Sequence, residues 1–499
     1  MKVPRSFFNW LSITGFIIAV NSLVLIMVLF IITISAKDTS TYLGVYTYIV
    51  VPAFLLLGLL LIPLGMIIQL RKRKELEETG GKWPILNLNT KKHRSTLIKV
   101  SIVTFIFLIT SAMGSYMAFQ YTESVEFCGK LCHQVMEPEY TTYLHSPHAR
   151  VACVECHVGE GANWYVRSKL SGLYQVYAAA FDKYPRPIPT PVTNLRPARE
   201  TCEKCHWPQK FYARKLRTDR RYVSDSLNTE WNYSLVMKVG PSFSALGLKE
   251  GIHWHINPDV KIEYIAGSKD RESIPWVKYT NLKTGVVKVF MDEENPVDVK
   301  AMDTLEHRTM DCMDCHNRPS HLYKTPSQYV NDALVAGIIP KELPFIKHIA
   351  MQVLKYPFGT KDSAINFIRD SITSFYQTKY PDINWPYRAS IAKAIEGITQ
   401  AYLLNAFPSM KADASVYLNH IGHLSSEGCF RCHSDRHKTE KDEVIPKDCD
   451  LCHTIISQGI SGNIVSVPLD ETLEFNHPVN VKNAWKTALC SDCHRKLYD

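Results

Sequence analysis

Residues 429–453, CFRCHSDRHKTEKDEVIPKDCDLCH, hold Cys-x-x-Cys-His twice within 25 residues. Working outward, the pattern recurs until all 14 cysteines are used. The pairs are Cys128/Cys132, Cys153/Cys156, Cys202/Cys205, Cys312/Cys315, Cys429/Cys432, Cys449/Cys452 and Cys490/Cys493. A histidine follows each pair at once: His133, His157, His206, His316, His433, His453 and His494. Six motifs are strict; the first, CGKLCH, has one extra residue between its cysteines. This is the signature of c-type haem attachment. Two thiols add to the haem vinyl groups, and the adjacent imidazole reaches the iron from the proximal side.

Zinc ribbons also use Cys-x-x-Cys, but they do not require a histidine after every pair. With only 19 histidines in 499 residues, seven such coincidences by chance are negligible. A disulfide framework leaves the histidines unexplained and would leave no thiol for anything else. We therefore expect seven covalently bound haem c groups, held in an oxidising compartment.

The sixth ligand decides whether each haem only transfers electrons or also binds a substrate. Twelve histidines remain after the proximal set, and His93 is excluded by topology, as argued below. The distal candidates are His148, His321, His423, His437 and His477, each close to a motif, together with Met136, three residues after His133. In IHWHI (252–256) a strand would put His253 and His255 on one face, so both join the candidates. His145, His307, His348 and His420 are weaker, His348 because it falls in a helical pattern.

The charge is uneven. Residues 1–120 carry 12 Lys/Arg against 4 Asp/Glu, and residues 121–499 carry 45 against 44. The basic excess thus belongs to the N-terminal part, which removes the main support for nucleic-acid binding. Apolar runs at 11–35, 45–70 and 97–117 are each long enough to span a bilayer as a helix, which takes about 20 residues. The loop between the second and third runs holds Arg71, Lys72, Arg73, Lys74, Lys82, Lys91, Lys92 and Arg94. The positive-inside rule puts this loop and the N-terminus in the cytoplasm, and the haem-bearing part on the periplasmic side.

Beyond residue 120, WVKYTNLKTGVVKVFM (276–291) predicts a β-hairpin, and helical patterns lie near 341–355, 361–379 and 389–406. The expected fold is mostly α and irregular, with a haem-packed periplasmic part. It has a three-helix transmembrane part (1–120), a four-haem domain (121–325) with a small β insertion (207–311), a helical linker (326–415) and a three-haem C-terminal domain (416–499).

Several pieces together resemble the NapC/NirT/NrfH family of membrane-anchored multihaem quinol dehydrogenases. They are a membrane helix before motif one, Met136 after it, SPHARVACVECH with His148, and CMDCHNRPSH with His321. This likeness covers roughly residues 97–325. The longer layout is similar to that of seven-haem inner-membrane cytochromes of the ImcH-like kind. The resemblance implies oxidation of menaquinol or ubiquinol at the membrane and electron delivery to periplasmic multihaem cytochromes in anaerobic or extracellular respiration. It also implies a quinol-binding lysine, matched by Lys169, and an acid one helical stretch on. Gln175 and Val176 stand at the acid's place. Expected partners are quinol, periplasmic cytochromes and membrane lipid, with a homo-oligomer open and nucleic acid excluded. Two other readings predict different chemistry: a terminal reductase of a small oxyanion at an open haem, and an electron wire fed by a protein donor.

Overall fold

The computed structural model describes residues 5–35, 46–74, 88–131, 133–159, 162–192, 197–207, 211, 214–240, 251–298 and 302–495. The chain is mostly helical, with two small sheets. It divides into two compact units, Met1–His133 with Ala152–Val154, and Gln134–Val151 with Glu155–Asp499.

The first unit is built on three long helices. Trp10–Leu29 and Val51–Arg71 are long and apolar enough to cross a membrane. They lie in helices Trp10–Ser35 and Val51–Lys74, which pack along one another. Small residues make that approach possible: a Cβ added to Gly15 would meet the Gly58 carbonyl oxygen at 2.7 Å, and Ser12 Oγ donates to the Ile62 carbonyl at 2.8 Å. Backbones in lipid-facing bundles approach closely in this way where glycine and serine line the contact. Their outer faces expose Phe16, Leu23, Met27, Phe54, Leu60 and Ile67, more apolar surface than a water-facing bundle carries. The expected third span lies inside helix Lys91–Thr122.

The second unit contains the principal apolar core. Helices Pro326–Val335, Ile346–Leu354, Lys361–Lys379 and Arg388–Leu403 bury Val330, Ile346, Ala364, Ile368, Ile372 and Ile398 completely. The spacing of Ala364, Ile368, Ile372 and Tyr376, four residues apart, puts one apolar stripe against the core. Thr325 and Thr360 start two of these helices as capping boxes, with Pro326 at the first helical position. The helical patterns read from the sequence are all here. The expected linker 326–415, however, is a packed body. Each fully buried Ile or Leu contributes about 1.5–3 kcal/mol, enough in sum to hold these helices as a core.

One sheet runs β1 (Arg214–Tyr222), β2 (Glu230–Lys238), β8 (His453–Ile460), β9 (Asn463–Ser466). The other runs β6 (Glu306–Thr309), β3 (Val260–Ala266), β4 (Trp276–Asn281), β5 (Val287–Asp292), β7 (His437–Lys438). The predicted hairpin is β4–β5, with Trp276 opposite Met291. Asn281 Oδ1 accepts from the Lys283 and Thr284 N–H groups, and Gly285 takes φ 73° to close the turn. Two expectations change. The β insertion and the C-terminal domain are not separate, since β2 pairs with β8 and β5 with β7. IHWHI is a 3-10 helix, Ile252–Ile256, rather than a strand.

Asn228, Asn331 and Lys347 dock the helical core onto the β1–β2 turn. Asn331 Oδ1 accepts from the Tyr222 N–H at 2.9 Å, and Asn228 donates to the Lys341 and Leu343 carbonyls. Buried Lys347 donates to the Tyr222 carbonyl.

Candidate haem-binding site

Five of the motifs form one short turn each. Cys153–His157, Cys312–Cys315 and Cys490–His494 are helical, and the turns at Cys429 and Cys449 are 3-10. The histidine N–H donates back to the first cysteine's carbonyl at 2.8 Å in motifs three and four and at 3.1 Å in motif five. Residues i, i+3 and i+4 then share a face, which is why two thiols and an imidazole need this spacing to meet one planar group. Asp311 and Asp314 form a capping box that starts motif four, and Asp448 caps motif six.

Cys156, Cys205, Cys449 and Cys493 are exposed, whereas the other described cysteines are half-buried. Cys156, Cys205 and Cys493 are the second cysteines of motifs two, three and seven. The reason is local. A motif that is a single turn supplies no neighbouring turn to cover its own side chains, so a cysteine is buried only where another segment crosses it. Motif five has such a crossing, from Asp314 of motif four to Arg431.

Burial pushes the Cys315 and Cys432 thiols up to about 12. Among the described residues no three His, Cys, Asp or Glu side chains gather into a metal cage.

The histidines converge in pairs. Ring centroids are 6.3 Å apart for His157 and His321, and 5.8 Å for His206 and His148. They are 6.3 Å apart for His316 and His253, and 5.8 Å for His433 and His255. For His453 and His423 the separation is 6.2 Å, and for His494 and His477 it is 6.0 Å. Two imidazoles bound on opposite sides of one metal, at metal–nitrogen distances of about 2 Å, have centroids about 6 Å apart. Every proximal histidine of motifs two to seven thus faces one distal candidate at the span an axially ligated iron takes up.

Hydrogen bonding marks out five of the six distal histidines. Nδ1 lies against a backbone carbonyl in His148 (Pro319, 3.1 Å), His253 (Val239, 3.2 Å), His255 (Ile252, 2.8 Å), His321 (Glu139, 3.0 Å) and His477 (Val479, 2.9 Å). Such a bond fixes the tautomer with its proton on Nδ1 and leaves Nε2 as the donor to a metal. His437, by contrast, commits Nε2 to the Ile274 carbonyl at 2.7 Å and is fully buried. His307 commits Nε2 to Met302 at 2.8 Å, and His420 Nε2 lies 3.1 Å from Glu272 Oε1. The structure therefore brings six of the distal histidine candidates to motifs and sets His437 in β7 as a structural residue. Phe211 and Phe430 stack on His253 and His423 at 4.3 and 4.5 Å, holding those rings in plane. Burial lowers His423 and His433 to about 4, so both rings are neutral at neutral pH, the form that ligates.

The pairing is mostly not sequential. His148 precedes motif two yet faces motif three, His321 follows motif four yet faces motif two, and His423 precedes motif five yet faces motif six. Cys132 and the His133 side chain lie outside the described residues, and Met136 is half-buried on helix His133–Leu144. Lys169 is half-buried on helix Ala162–Ala180. A cavity of about 510 Å³ between motifs three and four is lined by Arg199, His255, Lys261, Met310 and Asp311. Its place beside His255 and its two cations suit a haem face and an acidic edge. What the sequence did not reveal is the polar web around Asp314, described below; only the Asp-x-x-Asp capping pattern at 311–314 hinted at it.

The N-terminal region of the NapC/NirT cytochrome c family matches residues 90–187. The chain is 39% identical to the cytochrome c-type protein ImcH of Geobacter sulfurreducens over 495 residues, covering 99% of this chain and 96% of that one. It is 29% identical to the cytochrome c-type protein NrfH of Wolinella succinogenes over 110 residues, 21% of this chain and 59% of that protein. No solved structure matches. The full-length likeness, the apolar N-terminal helices and the repeated motif agree: the chain belongs to the same family as ImcH, as a membrane-anchored multihaem c-type cytochrome of electron transfer with a NapC/NirT-type N-terminal region.

Proposed function

We propose that the chain is an inner-membrane quinol dehydrogenase, with menaquinol as the favoured substrate, that delivers electrons to periplasmic redox proteins. One observation carries this reading: motif one begins six residues after helix Lys91–Thr122 ends, within the same compact unit. A haem attached there would lie at the membrane surface, where a lipid-soluble quinol arrives. In this reading all three N-terminal helices cross the bilayer, with the N-terminus in the cytoplasm and the haem-bearing part in the periplasm.

Seven covalently bound haems would supply the one-electron redox chemistry. The chain's own part would be to hold six of the irons with histidine pairs: His157/His321, His206/His148, His316/His253, His433/His255, His453/His423 and His494/His477. His133 would be the proximal ligand of the first haem, with Met136 as its distal candidate. Quinol oxidation releases two electrons and two protons. Lys169 would hold a quinol oxygen by hydrogen bonding and help a hydroxyl proton leave. The family's acid is replaced around Gln175, so proton release here leans on Lys169. Twelve paired imidazoles favour electron transfer over the open-haem reductase, which needs a vacant axial position.

Anaerobic stopped-flow reduction of the detergent-solubilised oxidised protein by a menaquinol analogue tests this. We expect fast appearance of the reduced haem band, blocked by a quinone-site inhibitor and slowed by about 10-fold or more in Lys169→Ala. Full reduction by dithionite with none by quinol would sink the quinol reading and favour a protein donor.

A further inference from the structure

The variable positions of motifs four and five are Met313–Asp314 and Phe430–Arg431. Asp314 and Arg431 are both buried, 2% and 6% exposed. A buried carboxylate and a buried guanidinium are costly unless each is satisfied; here the carboxylate is met by Tyr264, Arg308, Arg271 and the Asp311 N–H, and the guanidinium by backbone carbonyls, one of them that of Asp314. Asp314 Oδ1 accepts from Tyr264 Oη at 2.6 Å and Arg308 Nε at 3.3 Å, and Oδ2 accepts from the Asp311 N–H at 2.7 Å. Arg271 lies 3.5 Å from the same carboxylate. The Asp314 backbone carbonyl takes Arg431 Nη2 at 2.7 Å, with His420 Nδ1 at 3.3 Å. Arg431 also donates to the Arg271 carbonyl at 2.7 Å and to Gly428 at 2.8 Å. Glu272, next to Arg271, lies 3.1 Å from His420 Nε2 and 3.7 Å from Arg495, the residue after His494.

Three other chain segments thus close on the Asp314 carboxylate, through Tyr264, Arg308 and Arg271, and a fourth, through Arg431, takes its backbone carbonyl. Arg431 lies 117 positions from Asp314 and so ties motif five to motif four, and Arg495 extends the web to the edge of motif seven. The two cations nearest the carboxylate, Arg308 and Arg271, come from outside the motifs, on β6 and before β4. A web of this kind fixes mutual placement, because every member would leave an unpaired buried group if it moved. It also puts a defined charge beside a cysteine pair, and local charge is one of the levers that set a haem's potential.

We propose that Asp314 is a positioning residue for the joint between the fourth and fifth haem sites: its web with Tyr264, Arg308, Arg271 and Arg431 holds the two motifs together, and its charge sets the potential of the fourth haem. This rests on haem attachment at the motifs but not on quinol oxidation. The negative carboxylate stabilises the oxidised, more positive iron, and Arg308 partly offsets it. Asp314→Asn removes the charge and keeps an oxygen for Tyr264 and Arg308. Arg308→Gln removes the compensating cation from a partly exposed position.

The test is a spectroelectrochemical titration of the purified full-length holoprotein, with haem count and thermal unfolding measured beside it. Asp314→Asn should raise the midpoint of one haem and leave the rest in place, whereas Arg308→Gln should lower that same midpoint. Tyr264→Phe, which removes a bond but no charge, should leave the midpoints unchanged and lower the unfolding temperature. Unchanged midpoints in both charge variants, or shifts of the same sign, would overturn the electrostatic role. If Asp314→Asn fails to mature, an unshifted Arg308→Gln alone overturns it. Quinol reduction rates do not enter, so failure of the dehydrogenase reading leaves this test intact.

Discussion

The helices of 326–403 and the seven motifs use opposite means of building an interior. The helices bury whole apolar stripes: Ile346, Ile368, Ile372 and Ile398 have no exposed surface, and the elements are long and capped. The motif segments are single turns with half-buried or exposed cysteines, and histidine rings face each other 5.8–6.3 Å apart. One region is complete as polypeptide. The other, in the proposed reading, would be a set of walls around the cofactor, so that haem binding there would contribute folding energy.

The largest effect expected follows from removing the cofactor. Chain produced without haem attachment should keep slow amide exchange in 346–354 and 361–379 and lose it across 429–453 and 490–495. Equal loss in both regions would erase the distinction. Next in size, Ile368→Ala should cost about 2–5 kcal/mol in denaturant unfolding followed by far-UV circular dichroism, with the oxidised haem spectrum unchanged.

A smaller effect tests the histidine sorting. His423→Ala should turn one haem high-spin in the electronic spectrum, whereas His437→Ala should leave all haems low-spin and reduce stability by about 1–3 kcal/mol through the orphaned Ile274 carbonyl and the void. A spin change in His437→Ala would reverse the assignment of those two residues.

A further effect is a pH slope in the helical core. Burial pushes the Lys347 ammonium down to about 7 from an ordinary 10.5. Between those values the unfolded chain binds a proton that the folded chain does not, so stability rises with pH across the window. Below pH 7 both states are protonated and the full burial cost applies. Lys347→Met should flatten that rise, as read from unfolding midpoints at pH 7 and 10.

The sequence made the covalent chemistry legible because thioether attachment fixes residue type and spacing locally. It made the helices of 346–403 legible because apolar periodicity and capping threonines are local too. Distal pairing was not legible, since it depends on which loops the fold returns to which motif. His148 and His437 both lie near a motif in sequence, but only the first leaves Nε2 open. His253 and His255 were singled out by their spacing on an expected strand. On a 3-10 turn instead, they face two different motifs, four and five. The merging of 214–238 with 453–466 into one sheet left no mark in either stretch alone.

The claim underlying all of this is that paired imidazoles hold the irons. Near-infrared magnetic circular dichroism of the fully oxidised protein reads it directly, because the charge-transfer band of a haem with two histidine ligands is distinct from that with histidine and methionine. We expect six haems in the two-histidine class and at most one outside it, at motif one. Two or more high-spin or methionine-ligated haems would contradict the pairing.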